Sequence, residues 1–134
     1  MTAMQILQPK NWKRPKGYAN GIVAQGRMIF LAGQVGWDEQ ERFDSDSFAG
    51  QAEQALANIV AILAEAGAGT ELLVRLTWFV VDKAEYLATR EATGAAYRRV
   101  IGRHGPAKSV VEVKGLYEDG ARLEIEATAV LPGA

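Results

Sequence analysis

The chain has 134 residues, about half of them apolar, with a net charge of −1 and no cysteine. That length predicts a single domain, 1–134, able to bury a core without disulfides or metal. The missing cysteines exclude disulfides, thiolate nucleophiles and cysteine-based zinc sites, and the near-neutral charge argues against a nucleic-acid partner.

The stretch MTAMQILQPKNWKRPKGY (1–18) has no apolar core of signal-peptide length. No run approaches the ~20 apolar residues of a membrane span, so the expectation is a soluble, cytoplasmic, unexported protein with no membrane partner. GIVAQGRMIFLAGQVG (21–36) predicts a hairpin, with Gly26-Arg27 as a two-residue turn. DSDSFAGQAEQALANIVAILAEAG (44–67) predicts the clearest helix. Ser45, Asp46 or Ser47 can cap it, Ala52, Ala55, Leu56, Ile59, Ile62, Leu63 and Ala66 form its apolar stripe, and Gly67 ends it.

ELLVRLTWFVV (71–81) reads as a strand, rich in β-branched and aromatic residues. Asp82 can cap a second helix over 83–103, with a looser stripe of Tyr86, Leu87, Ala95, Tyr97, Val100 and Ile101, weakened by Gly94. GPAKSVVEV (105–113) is a turn running into a strand, with Lys108 at its mouth. YEDG (117–120) is a turn. ARLEIEATAVL (121–131) alternates without a slip, with Leu123, Ile125, Ala127, Ala129 and Leu131 on one face. The order β-β-α-β-α-β-β implies an α+β layer architecture, a mixed sheet with two helices on one face. The other face must be polar or covered, which a second subunit would do.

The chemistry available is narrow. His104 is the sole histidine and sits where a cation complements a helix C-terminus. A histidine-based metal cluster is thereby excluded and a Ser-His-Asp triad disfavoured. GAGTE (67–71) follows a helix and is too short for a phosphate loop. The basic groups Lys13, Arg14, Lys16 and Arg98, Arg99, Arg103, Lys108 are short and read as solvated. Ion-pair and acid–base chemistry by Glu, Asp, Lys, Arg and Tyr remains. Glu124 stands out because it projects from the polar face of what should be a central strand. A surface glutamate would show the same pattern.

GYANGIVAQGRMIFLAGQVGWD, QAEQALANIVAILAEAGAG, LTWFVVDKAEY, PAKSVVEV and RLEIEATAV occur in an order and spacing that resemble the RidA (YjgF) family of enamine/imine deaminases. The resemblance spans about 17–130. It implies a chorismate-mutase-like α+β fold and a homotrimer with clefts between subunits. It also implies cofactor-free hydrolysis of enamines or imines of 2-oxoacids, such as 2-aminoacrylate, to the oxoacid and ammonia. Homologues are often labelled endoribonuclease or translation inhibitor, for which no residue here gives chemical support. In the family an arginine grips the substrate carboxylate, a glutamate positions or activates water, and a tyrosine and a strand backbone shape the pocket.

Carried over by position, Glu124 matches the glutamate, Tyr18 the tyrosine and Gly33-Gln34 the family's glycine-glutamine pair. Ala32 stands where serine is usual, and Val110 replaces a small residue or cysteine. Lys108 stands where the arginine belongs, and Arg90 where many members have asparagine. An ammonium makes a point contact where a guanidinium makes two parallel hydrogen bonds. Three readings follow. Lys108 anchors the carboxylate in an altered deaminase; Arg90 supplies the guanidinium and the substrate is reshaped or larger; or catalysis is lost and the trimer binds a small acid or acts as a chaperone-like partner.

Overall fold

The computed structural model describes residues 4–133. Four strands, β3 (Arg27–Val35), β4 (Leu73–Val80), β5 (Ala107–Glu112) and β6 (Leu123–Leu131), form one sheet in the order β3-β6-β4-β5. β6 is antiparallel to both its neighbours and β4 is parallel to β5. The alternation read in 121–131 therefore belongs to an interior strand: Leu123, Ile125, Ala127 and Ala129 are buried on one face, while Glu124, Glu126 and Thr128 take the other.

Helix α1 (Phe48–Glu65) lies over β3 and β6. Of the three candidate caps, Ser47 serves, its hydroxyl accepting from the Gly50 N–H. Gly67 (φ +69) follows the C-terminal end as expected. The buried stripe is Phe48, Gln51, Ala52, Ala55, Leu56, Ile59 and Leu63. Ile62 and Ala66, expected within it, lie toward solvent. Gln51 ties distant loops together. Its amide donates to the Ser45 and Gly120 carbonyls, and its oxygen accepts from the Arg122 N–H.

The expectation of one helix over 83–103 needs correction. Two helices occur, α2 (Lys83–Ala88), capped by the Asp82 carboxylate, and α3 (Arg90–Val100). The break lies at Thr89, not at Gly94. The Thr89 hydroxyl and N–H both turn back onto the Glu85 carbonyl, so the side chain competes with the helical ladder. The stripe also rotates, with Thr93 and Ala96 buried and Leu87 exposed. The covered face thus carries three helices instead of two, and α3 packs chiefly on α1.

The hairpin over 21–36 does not form. β2 (Gly21–Ala24) pairs instead with β1 (Met4–Leu7), a strand the sequence did not announce, while β3 pairs with β6. At Gly26 (φ +146) a Cβ would collide with the Leu131 carbonyl, so the glycine marks a close crossing over the end of β6. β1 gave no signal because Ile6 and Leu7 are exposed, outside the core. No helix among the described residues is long and apolar enough to cross a membrane.

Candidate functional site

Lys108 is the second residue of β5, opposite Leu76 of β4, which is opposite Ala127 of β6. Leu76 and Ala127 are core residues, so Lys108 points to the helix-covered face. Its ammonium sits 4.6 Å from the centroid of the Trp78 ring. Burial lowers the Lys108 pKa from its ordinary value, while the ring's negative face partly offsets that cost. Trp78 is fully buried and stacks edge-on against Tyr86.

A cavity of about 460 Å³ opens beside this pair, between β4–β5 and helices α2–α3. Its lining includes Lys108, Arg90, Arg98 and Arg103, with Trp78, Tyr86, Thr93, Gly94 and Tyr97, and no Asp or Glu. The cause is visible in α3. Positions 90, 93, 94, 97 and 98 recur at the spacing of one helix face, yet that face holds Arg, Thr, Gly, Tyr and Arg where aliphatic side chains would fill the gap. Gly94 leaves space, with only the Arg98 guanidinium near its Cβ position. Tyr97 donates its hydroxyl to the His104 carbonyl at 2.6 Å, and burial pushes its pKa up to about 12. The His104 ring bonds the Leu73 carbonyl at 2.6 Å, a structural tie between helix end and sheet.

Arg90 is exposed at the cavity rim, where its Nε donates to the Leu87 carbonyl at 3.3 Å. Burial raises the Tyr86 pKa, and the nearby Arg90 charge works against the rise. Tyr18 is exposed in the segment beside β5 and does not itself line the cavity. Ala19 bridges to Ala107 and donates to the Pro106 carbonyl, and Gly17 lines the cavity.

Glu124 occupies the opposite face of the sheet. It is opposite Val35 and Phe79, one residue out of phase with the buried Leu123 and Ile125. Its carboxylate lies over Gly33, where a Cβ would collide with it, so only glycine admits the approach. Ala32 and Gly33 fall in the irregularity between Leu31 and Gln34 in the β3–β6 ladder, and the Gln34 amide donates to the Ala32 carbonyl. The expected site residues therefore form two groups in one chain. Lys108, Arg90 and the segment of Tyr18 surround the cavity. Glu124, Gly33 and Ala32 lie on the open face.

Sequence reasoning missed Trp78, Thr93, Tyr86 and Tyr97 as cavity residues. It read the second basic cluster as solvated, which holds for Arg98, Arg99 and Arg103, all exposed, and is corrected for Lys108, which is partly buried. Arg98, Arg103 and Lys108 line the cavity, while Arg99 pairs with Glu53. The available signal was the polar run at helical spacing in α3.

The family model for endoribonuclease L-PSP matches residues 11–131. A RutC family protein of Synechocystis is 34% identical over 131 residues, covering 96% of this chain and 98% of that protein. A 2-iminobutanoate/2-iminopropanoate deaminase of Salmonella typhimurium is 36% identical over 113 residues, covering 84% and 86%. Among solved structures, YyfB of the conserved Rid protein family from Yersinia pestis superposes with a TM-score of 0.86 at 28% identity, covering 97% of this chain and all of that one. The YjgF gene product of Escherichia coli gives 0.66 at 35% identity, covering 84% and 87%. On this family match, these relatives and the shared mixed α+β fold, the chain belongs to the RidA/YjgF family.

Proposed function

We propose that this protein is a cofactor-independent deaminase of imines and enamines derived from amino acids, working as a homotrimer. The observation that carries the reading is Lys108 turned into a cavity that holds Arg90 and no carboxylate. Such a cavity favours a small carboxylate-bearing ligand. The similarity to a 2-iminobutanoate/2-iminopropanoate deaminase supplies the reaction class. Water adds to the imine carbon, a proton moves to nitrogen, and the carbinolamine expels ammonia to leave the 2-oxoacid. Imines are electrophilic already, so positioning and one proton shuttle suffice.

Lys108, helped by Arg90, holds the carboxylate, Tyr18 shapes the pocket, and the backbone at Ala32-Gly33 shapes it from a neighbouring subunit. Glu124 positions water and moves the proton, reaching the cavity of a neighbouring subunit because it cannot reach its own. The open face supports assembly. Phe30 is 73% exposed and Met28 58% exposed, and both share that face with Val111.

A non-catalytic, acid-binding trimer is the second reading, favoured by the separation of Glu124 from Lys108 within one chain. To decide, imines of 2-oxoacids are generated in situ with an amino-acid oxidase, or 2-aminoacrylate with a dehydratase, and their decay is followed. Turnover above buffer that falls in Glu124→Gln and Lys108→Ala supports the deaminase. No turnover on any imine, with small acids still raising the melting temperature, supports the binding trimer.

A further inference from the structure

The cavity exceeds what a three-carbon imino acid needs. Its volume of about 460 Å³ falls in the range of sites for considerably larger ligands. Four cations line it. Lys108 stands inside, over the buried Trp78, and Arg90, Arg98 and Arg103 are exposed at the rim. Among the described residues none of the four is in an ion pair, whereas Arg42, Arg99 and Arg122 each find a carboxylate.

Two further lining groups lack partners. The indole N–H of Trp78, fully buried, and the hydroxyl of Thr93, 5% exposed, make no hydrogen bond. Both atoms lie beneath the cavity surface with no area open to a ligand, so recognition rests on the cations. One carboxylate can occupy Lys108. With Arg90 helping there, it leaves the Arg98 and Arg103 guanidiniums, which suit a second planar anion, unused.

We propose that the cavity selects 2-imino acids bearing a second carboxylate at the far end of the side chain. Lys108, helped by Arg90, holds the 2-carboxylate, and Arg98 and Arg103 hold the distal one at the rim. This rests on the cavity being the imino-acid site and goes beyond it by naming the substrate class. The lowered Lys108 pKa agrees with an inner cation that an anion stabilises on arrival.

The test compares 2-oxoglutarate with 2-oxopentanoate, which has the same carbon chain without the distal carboxylate. Binding is measured by calorimetry, and turnover on the imines that oxidases make from the matching amino acids. The expected result is about tenfold tighter binding of 2-oxoglutarate or more, lost in an Arg98→Gln/Arg103→Gln double variant that keeps its melting temperature. An Arg27→Gln/Lys114→Gln variant, which removes the same charge elsewhere, should keep the preference. Equal binding of the two acids, survival of the preference in the first variant, or its loss in the second overturns the proposal. Preference without turnover of either imine upholds the dicarboxylate site and sinks the deaminase. Turnover of both imines at equal efficiency and equal binding does the reverse.

Discussion

The two faces of the four-stranded sheet are built from the same strands and end in opposite conditions. The covered face holds Leu76, Trp78, Ile125 and Ala127 under the helices, and at its β5 edge a lysine beside a cavity. The open face holds Phe30, Phe79, Glu124 and Thr128 with no helix above them. One face is covered by the chain's own helices; the other is not. Because strand residues alternate, the cation and the carboxylate expected to share a substrate fall on different sides. On the proposed reading a single protomer carries two half-sites, and assembly is part of the proposed chemistry.

The largest expected effect breaks the covered face. Trp78→Ala should cost about 3–5 kcal/mol of stability, because it removes the fully buried indole beneath Lys108; denaturant unfolding checks it. Phe30→Ala on the open face should change the unfolding of an isolated subunit far less. Phe30→Asp should instead lower the sedimenting mass, and an unchanged mass would show that this face is not the interface.

Next comes chemistry on the open face. Glu124→Gln should reduce imine turnover by about a hundredfold or more, the lower range of a lost proton shuttle. Gly33→Ala should also reduce it, because a methyl group there evicts the carboxylate. Lys108→Ala should cost about ten- to a hundredfold on the covered side, equivalent to about 1–3 kcal/mol. Full activity in Glu124→Gln would remove the open face from the reaction. Smaller again, Ser47→Ala should cost about 1 kcal/mol through the lost cap of α1.

The alkaline limb sharpens the comparison most finely. Tyr97 ionises near 12 when folded and near 10 when unfolded. Its contribution is complete below pH 10 and lost as pH rises through about 12. Lys108 has the opposite sign. Its pKa is lowered on folding, so the cost of burying the ammonium is full below that lowered value and fades as pH approaches 10.5. Lys108→Met should therefore raise stability at neutral pH, with the gain shrinking toward pH 10.5 in pH-dependent unfolding.

Much of this was legible in the residues. α1 announced itself by its stripe and Ser47, and β6 by its alternation, because both patterns follow from burying one face of a regular element. Glu124 and Lys108 were singled out by their position in motifs. The break at Thr89 was hidden because it depends on one hydroxyl choosing the Glu85 carbonyl over solvent. The pairing of β2 with β1 was hidden because Ile6 and Leu7 are exposed and carry no core signal.

The α+β class, the central position of β6, the main helix and the residues that match the family are each written in local periodicity or in a contiguous motif. Which residues share a space depends instead on long-range pairing and packing. Arg90, Thr93, Tyr97, Arg98, Trp78 and Lys108 come from a helix and two strands, and they meet because parallel β4–β5 pairing and the set of α3 bring them to one cavity. The antiparallel β4–β6 pairing sends Glu124 to the other side of the sheet, a consequence of strand parity and register that no single segment encodes.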